Sequence, residues 1–183
     1  MEVTLLSFKP QEFDLEDIPV LPSNISFRHI TTSRQNHWDC ITDIIRDAEA
    51  SNVEQVILCT DIRLIKNMDW TSFCIYLKTA SNLGSKIFIT DAQKVECLLP
   101  VHENFFWIDH FVESNLIIIY RSGFQLILDN NDSSETVEQR LSNVTSNKLL
   151  LYPMLLNPPI SVAVTDLNDR MDRLHNQYKK KNR

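Results

Sequence analysis

Two apolar stretches, Gln55-Val56-Ile57-Leu58-Cys59-Thr60 and Lys86-Ile87-Phe88-Ile89-Thr90, decide the fold of this chain. Their central residues are apolar without alternation, as in strands that are buried on both faces of a sheet. The segment between them begins at Asp69, ends at Gly84 and carries apolar residues at helical spacing: Trp70, Phe73, Leu77 and Ala80. The pattern predicts a strand, a helix capped by Asp69 and ended by a left-handed Gly84, and a second strand.

The same alternation extends toward the amino terminus. Residues 25–30 read as a strand, and Asn36 is placed to cap a helix that runs to about Ala50. A β-α-β-α-β order with fully apolar strands is typical of a parallel sheet that is covered by helices on both faces. The sequence therefore predicts an α/β fold, a three-layer α/β/α domain with a mainly parallel sheet.

Beyond residue 91 the periodicity is less regular. Residues 91–99 suggest a short helix that Pro100 ends, and Arg121-Ser122-Gly123 separates two apolar runs, which predicts an antiparallel hairpin near residues 115–129. We expect an extended N-terminal arm over residues 1–24, a single α/β domain over 25–164, and a C-terminal helix with a basic tail over 165–183.

Composition excludes several function classes. The 183 residues include 2 glycines, too few for a glycine-rich phosphate loop. The net charge of −6 disfavours a protein that coats nucleic acid, but residues 166–183 hold six basic and three acidic side chains. Either this end is a solvated helix terminus, or it contacts nucleic acid or an acidic partner through its last basic residues: Lys179, Lys180, Lys181 and Arg183.

Three apolar runs end in the same pair of residues, threonine followed by Asp61, Asp91 or Asp166. If all three runs are parallel strands, these carboxylates lie at the carboxyl edge of the sheet, where open α/β sheets bind ligands. Carboxylate oxygens suit Mg²⁺, which would serve phosphoryl chemistry as a catalytic ion. Helix capping explains the same pattern without any metal.

Four aromatic residues lie within seven positions: Phe105, Phe106, Trp107 and Phe111. They cannot all face one side of a helix, because neighbouring helical residues point about 100° apart. They therefore pack in the core or against the N-terminal arm, or they form a partner-binding cluster of the kind in which aromatic side chains supply much of the binding energy.

Two layouts resemble known families. The stretch from Val53 to Gln93 is similar in rhythm to the core of RecA-like ATPase paralogues, without their phosphate loop, which implies a non-hydrolysing subunit. The β-α-β-α-β order followed by a hairpin resembles half of a phospholipase-D-type domain, without its His-x-Lys pair: the expected hairpin reads Phe124-Gln125-Leu126-Ile127-Leu128-Asp129. Each resemblance implies a catalytically empty version of its fold.

We therefore expect a non-catalytic α/β protein-interaction subunit, an adaptor or member of a complex, with a protein partner and no cofactor. The alternative is a metal-dependent phosphohydrolase or nuclease that uses the three aspartates with Mg²⁺. A third reading is a nucleic-acid-associated subunit of a repair or recombination complex that acts through the basic tail. The longest apolar run, residues 116–120, is shorter than a membrane span, so we expect no membrane partner. The four cysteines lack the close spacing of zinc or redox pairs and read as buried reduced thiols, from which we expect a cytoplasmic or nuclear location.

Overall fold

The computed structural model describes residues 2–7, 26–31, 37–60, 68–130, 136–155 and 162–182. Within these ranges the chain forms ten strands and five helices. The strands are β1 (Glu2–Ser7), β2 (Ser26–Thr31), β3 (Gln55–Cys59), β4 (Ile87–Ile89), β5 (Lys94–Val95), β6 (Leu98–His102), β7 (Phe105–Ile108), β8 (Phe111–Val112), β9 (Leu116–Tyr120) and β10 (Lys148–Leu151). The helices are α1 (His37–Ala50), α2 (Trp70–Asn82), α3 (Arg121–Leu128), α4 (Val137–Val144) and α5 (Val162–Lys181).

The α/β class is confirmed, but the expectation of a mainly parallel sheet is wrong. Eight strands form the main sheet in the order β2-β1-β3-β9-β4-β10-β7-β6. Between β3 and β6, β4–β10 is the one parallel pair and the other neighbours are antiparallel. The reason is the insertion of β9 between β3 and β4. A strand buried on both faces is apolar throughout whichever way it runs, so the sequence pattern does not reveal its direction.

The expected hairpin near residues 115–129 is also wrong. Its first half is strand β9, but Arg121–Leu128 forms helix α3 directly after that strand. Phe124 and Ile127 are spaced three residues apart, and both are buried on one face of this helix. Gly123 lies inside the helix and approaches Lys86, so it serves close packing rather than a turn.

Buried apolar side chains form one cluster on each face of the sheet. Val56 and Leu58 of β3 point into the first cluster, together with residues of α1, α3, α4 and α5. Ile57 and Cys59 point into the second, where α2 supplies the helical residues Phe73, Leu77 and Ala80. Helices therefore cover both faces of the sheet, and α2 is the single described helix in the second cluster.

The signals that place α2 are confirmed. Asp69 is its N-cap and accepts hydrogen bonds from the backbone N–H groups of Thr71 and Ser72. Gly84 has a φ of +78°, the left-handed conformation expected after the helix. At the chain's ends, β1 pairs with both β2 and β3, so residues of the expected arm contribute a strand to the sheet. The last helix begins at Val162, before the expected start at residue 165.

Candidate functional site

The structure places two aspartates of the predicted metal site in different surroundings. Asp91 follows β4 and is fully buried, whereas Asp166 is exposed on α5. The run Val162-Ala163-Val164, expected to be a strand, belongs to this helix. Asp61 lies outside the described residues. Across the described ranges, no three His, Cys, Asp or Glu side chains lie together in a way that could hold a metal ion.

Asp91 is part of a hydrogen-bonded network that joins three strand ends. Its carboxylate accepts a 2.7 Å hydrogen bond from the side-chain amide of Asn115, just before β9, and lies within hydrogen-bond distance of the Ser114 hydroxyl. Thr60, just after β3, donates to the amide oxygen of Asn115 at 3.1 Å. Burial raises the pKa of Asp91, and the hydrogen bonds from Asn115 offset part of that rise. These contacts describe a structural carboxylate that orders the carboxyl edge of the sheet.

The aromatic cluster is largely core. Phe105, Phe106 and Phe111 are buried, and Phe105 packs edge-on against Phe88. Of the two expectations, core packing is the one that these three residues meet, and the alternating directions of β7 send Phe105 and Phe106 into opposite faces of the sheet. Trp107 is the partly exposed member of the set, and its indole N–H donates to the carbonyl of Ser146.

A strip of apolar surface lies along β6, an edge strand of the sheet. Leu99 is 58% exposed and Val101 is 37% exposed on this strand. Val101 also lines an open groove of about 190 Å³ together with Leu83, Trp107 and Leu149. We call this feature the β6 groove. It lies on the face of the sheet that α2 covers only in part, and large apolar side chains are rarely left exposed together without an interaction to explain them.

Sequence reasoning missed the β6 groove because residues 91–99 were expected to form a helix. Instead, β5 occupies Lys94–Val95 and β6 begins at Leu98. The signal was Pro100 within an apolar run, since proline in a sheet is confined to edge strands or bulges. The structure has both features, because β6 is at the edge and its pairing with β7 shifts register between Pro100 and His102.

Helix α5 packs against the opposite face of β6. The hydroxyl of Tyr178 lies 3.5 Å from the backbone carbonyl of Val101. One turn earlier, the ring of His175 stacks on Tyr152, with 4.4 Å between ring centroids, and Tyr152 donates a 2.6 Å hydrogen bond to Asp172. These contacts hold the end of α5, where Lys179, Lys180 and Lys181 are exposed, beside β6. Arg183, the fourth basic residue expected to make contacts, lies outside the described residues.

A larger cleft opens between the first residues of α1 and α4. It encloses about 680 Å³ and is lined by His37, Glu113 and Glu138, with Phe111 and Val112 among its apolar walls. Burial lowers the pKa of His37, while the nearby Glu138 acts in the opposite direction. Thr136 supplies the hydroxyl of this lining, and that oxygen accepts a hydrogen bond from the N–H of Gln139 as the N-cap of α4. The lining thus combines acidic and apolar groups without an activated nucleophile among the described residues.

Strands β6 and β7 form a hairpin, which can be compared with the His-x-Lys pair of phospholipase-D-type domains. Its turn reads His102-Glu103-Asn104, so the residue two positions after the histidine is asparagine rather than lysine. The Nδ1 atom of His102 accepts a hydrogen bond from the backbone N–H of Asn104. The side-chain amide of Asn104 donates a hydrogen bond to the carbonyl oxygen of Tyr152. These side chains are used to shape the turn.

Comparison with known proteins does not indicate a function, so the functional proposal is based on the geometry of the structure. A scan against protein-family models finds no match, and a search of curated proteins finds no significant relative. No helix in the described ranges combines the length and the apolar character needed to cross a bilayer. The β6 groove and the adjacent basic end of α5 are therefore the features on which a functional assignment rests.

Proposed function

We propose that this protein is a non-catalytic interaction subunit that binds another protein through the edge of its sheet at β6. The observation that carries this proposal is the exposure of Leu99 and Val101 beside the β6 groove. Removing apolar surface from water is favourable by about 25 cal/mol per Å² before the entropy cost of association, so exposed apolar residues at a concave site are a source of binding free energy. Thiols that form no disulfide suit a reducing compartment, and a cytoplasmic or nuclear location belongs to the same proposal.

The shape of the groove supports a protein partner more than a small molecule. Its volume of about 190 Å³ is below the usual range for ligand pockets, roughly 300–1,000 Å³. Trp107 forms one wall and is the type of residue on which binding energy concentrates in protein interfaces. An apolar side chain of a partner, inserted beside Trp107, would fill the groove while the rest of the partner lies along β6.

Selection from a displayed random-peptide library tests this proposal. The immobilised protein is the bait, and the selected peptides are then titrated against the variant Leu99→Asp/Val101→Asp. A carboxylate in the groove must be desolvated on binding, so we expect the double variant to weaken the selected peptides by about tenfold or more. Ile75→Asp is the matched control, because Ile75 is 61% exposed on α2 and lies outside the groove.

The result is read after circular dichroism has established that each variant is folded. Peptides that lose affinity for the β6 variant and bind Ile75→Asp normally support the proposal. Failure to select any peptide, or selection of peptides that bind both variants as they bind the wild-type protein, would contradict it. A repeat with Trp107→Ala gives an independent reading, because that variant removes a wall of the groove without adding a charge.

A further inference from the structure

We propose that the partner presents an acidic segment with an apolar face, which seats its apolar side chains in the β6 groove and its carboxylates on the basic end of α5, at Lys179 and Lys181. This inference rests on the proposed function and specifies the chemistry of the partner. Its basis is the position of the basic end of α5, which packs against the face of β6 opposite the groove, rather than the number of lysines alone. The sequence suggested the basic tail and the apolar cluster separately, and the fold brings a basic and an apolar feature to one edge of the sheet.

Val101 connects the two features. Its side chain lines the groove on one face of the sheet, while its carbonyl oxygen lies 3.5 Å from the hydroxyl of Tyr178 on the other face. Lys181 follows Tyr178 by three residues, so both side chains lie on the same side of α5. A segment that lies along the edge of β6 therefore meets apolar groups on one side and ammonium groups on the other.

The lysines are available to a partner. All three are exposed, and none of them forms an ion pair within the part of the chain that the structure describes. Their place in the last turn suits the helix dipole, which explains three cations at this end of α5. The dipole does not explain why the same end lies beside exposed Leu99 and Val101. Complementary charge at the rim of an apolar site is the usual arrangement of a specific interface.

Two observations favour a protein segment that docks through side chains. Pro100 offers no N–H, and the register shift next to it distorts β6, so the edge is poorly suited to the addition of a regular strand. The apolar groove favours protein over nucleic acid, because a polynucleotide would use the lysines and leave Leu99 and Val101 exposed. A net charge of −6 over the whole chain acts against nucleic acid as well.

The experiment uses two synthetic helical peptides of equal length. Both carry leucines at helical spacing, and their remaining positions are glutamate in one and glutamine in the other. We expect the glutamate peptide to bind the full-length protein more tightly in fluorescence anisotropy, with an affinity that falls as salt rises. Lys179→Glu/Lys181→Glu should weaken that peptide by about tenfold, since the variant removes two ion pairs with the peptide and adds repulsion. Arg46→Glu/Lys78→Glu is the control of equal charge change on α1 and α2.

The outcomes separate this inference from the proposed function. If Val101→Asp abolishes binding of both peptides but the lysine variant changes neither affinity, the groove binds protein and the acidic preference is refuted. If single-stranded DNA binds through the lysines without needing Val101, the inference is overturned in favour of nucleic acid. Self-association that Val101→Asp abolishes, and that the glutamate peptide does not displace, would assign the surface to a second copy of the chain. A tighter glutamate peptide that needs both Val101 and the lysines supports the inference.

Discussion

Asp91 holds Asn115 through both of its carboxylate oxygens: the backbone N–H of Asn115 lies 3.2 Å from each oxygen, and its side-chain amide donates to Oδ2. Asp91 follows β4 and Asn115 precedes the antiparallel β9, so this contact fixes how the central strands meet at one edge of the sheet. In the described part of the chain, this carboxylate orders the backbone and side chain of Asn115.

The first prediction follows from that contact. Asp91→Ala should lower the free energy of unfolding by about 2 kcal/mol, because it leaves the backbone and side-chain N–H donors of Asn115 without their acceptor. The burial cost of the carboxylate, visible in its raised pKa, keeps the loss from being larger. Chemical denaturation followed by circular dichroism measures the change.

Asp166→Ala is the matched control, since Asp166 belonged to the same expected site and is exposed on α5. It should change the free energy of unfolding by about 0.5 kcal/mol or less. Equal effects of the two substitutions would contradict the distinction between a buried network and a solvated side chain.

The second prediction concerns His175, which packs α5 against Tyr152, directly after β10. Burial lowers the pKa of His175, and Lys179 on the next turn lowers it further, against the opposing influence of Asp172 and Glu103. The Nδ1 atom of His175 is buried with no hydrogen-bond partner among the described residues, so a proton there gains no direct acceptor. The native state therefore holds the neutral imidazole, stacked on Tyr152.

The sign of the pH effect follows from this shift. In the unfolded chain His175 titrates near 6.5, and in the native state it titrates at lower pH, so the unfolded state binds more protons between the two values. The stability that His175 contributes is complete above pH 6.5 and is lost as the pH falls through the native pKa. His175→Phe keeps a ring against Tyr152 and removes the titration.

Thermal unfolding of both proteins between pH 7.5 and pH 5 tests this expectation (the range brackets the ordinary histidine value, about 6.5). The wild-type protein should lose more stability than His175→Phe on acidification. Taking the difference between the two curves cancels the contributions of the other histidines. Parallel curves would show that His175 does not carry the effect.

How much of the fold the sequence could predict depended on whether the signal was local. Asp69 and Gly84 bound helix α2 as expected, because an N-cap carboxylate and a left-handed glycine act through backbone groups of the nearest turn. Helix α3 was not predicted, because Arg121-Ser122-Gly123 also reads as a hairpin turn. In the structure, Gly123 packs on Lys86 and the helix buries Phe124 and Ile127, contacts with distant parts of the chain that a short sequence window does not reveal.

The candidate sites were hard to predict for the same reason: they depend on contacts between residues that are distant in the sequence. Val162-Ala163-Val164 reads as a strand in isolation, yet Val164 extends the buried face that continues at Leu167 and Met171 in α5. The β6 groove depends on which strand ends the sheet and on where α2 stops, and neither is visible in a short sequence window. The basic end of α5 was recognised from composition, but its position beside Val101 required the fold.

The third prediction concerns Gly84, where glycine is needed because of the backbone conformation. Its φ is +78°, and a Cβ atom added there would have no other atom within 4 Å. Gly84→Ala should therefore lower the free energy of unfolding by about 1–2 kcal/mol through backbone strain alone. Gly84→Asn should cost less, because asparagine adopts the left-handed conformation more readily than alanine does. Denaturation midpoints of the two variants compare the costs directly, and an equal loss would argue against a conformational cause.

The fourth prediction is that alanine and asparagine rank in the opposite order at Gly123, because glycine is needed there for lack of space. It lies inside α3, where alanine ordinarily stabilises a helix relative to glycine by about 0.5–1 kcal/mol. Here a Cβ atom would stand 3.1 Å from the backbone oxygen of Lys86 and 3.2 Å from its Cβ, so α3 must move away from the start of β4. Gly123→Ala should lower the free energy of unfolding by about 1–2 kcal/mol, and Gly123→Asn should cost more than alanine rather than less.

The neighbouring substitution Ser122→Ala provides the control for that helix, since Ser122 is exposed on α3 and its change should stay within about 0.5 kcal/mol. Urea denaturation of the wild-type protein, Gly123→Ala and Gly123→Asn measures how stability changes with the size of the side chain at position 123. Because the contact is tight, we expect the wild-type protein to be more stable than Gly123→Ala, and Gly123→Ala to be more stable than Gly123→Asn. A Gly123→Ala protein more stable than the wild type would mean that helix propensity outweighs the contact, and that α3 can shift on the sheet without cost.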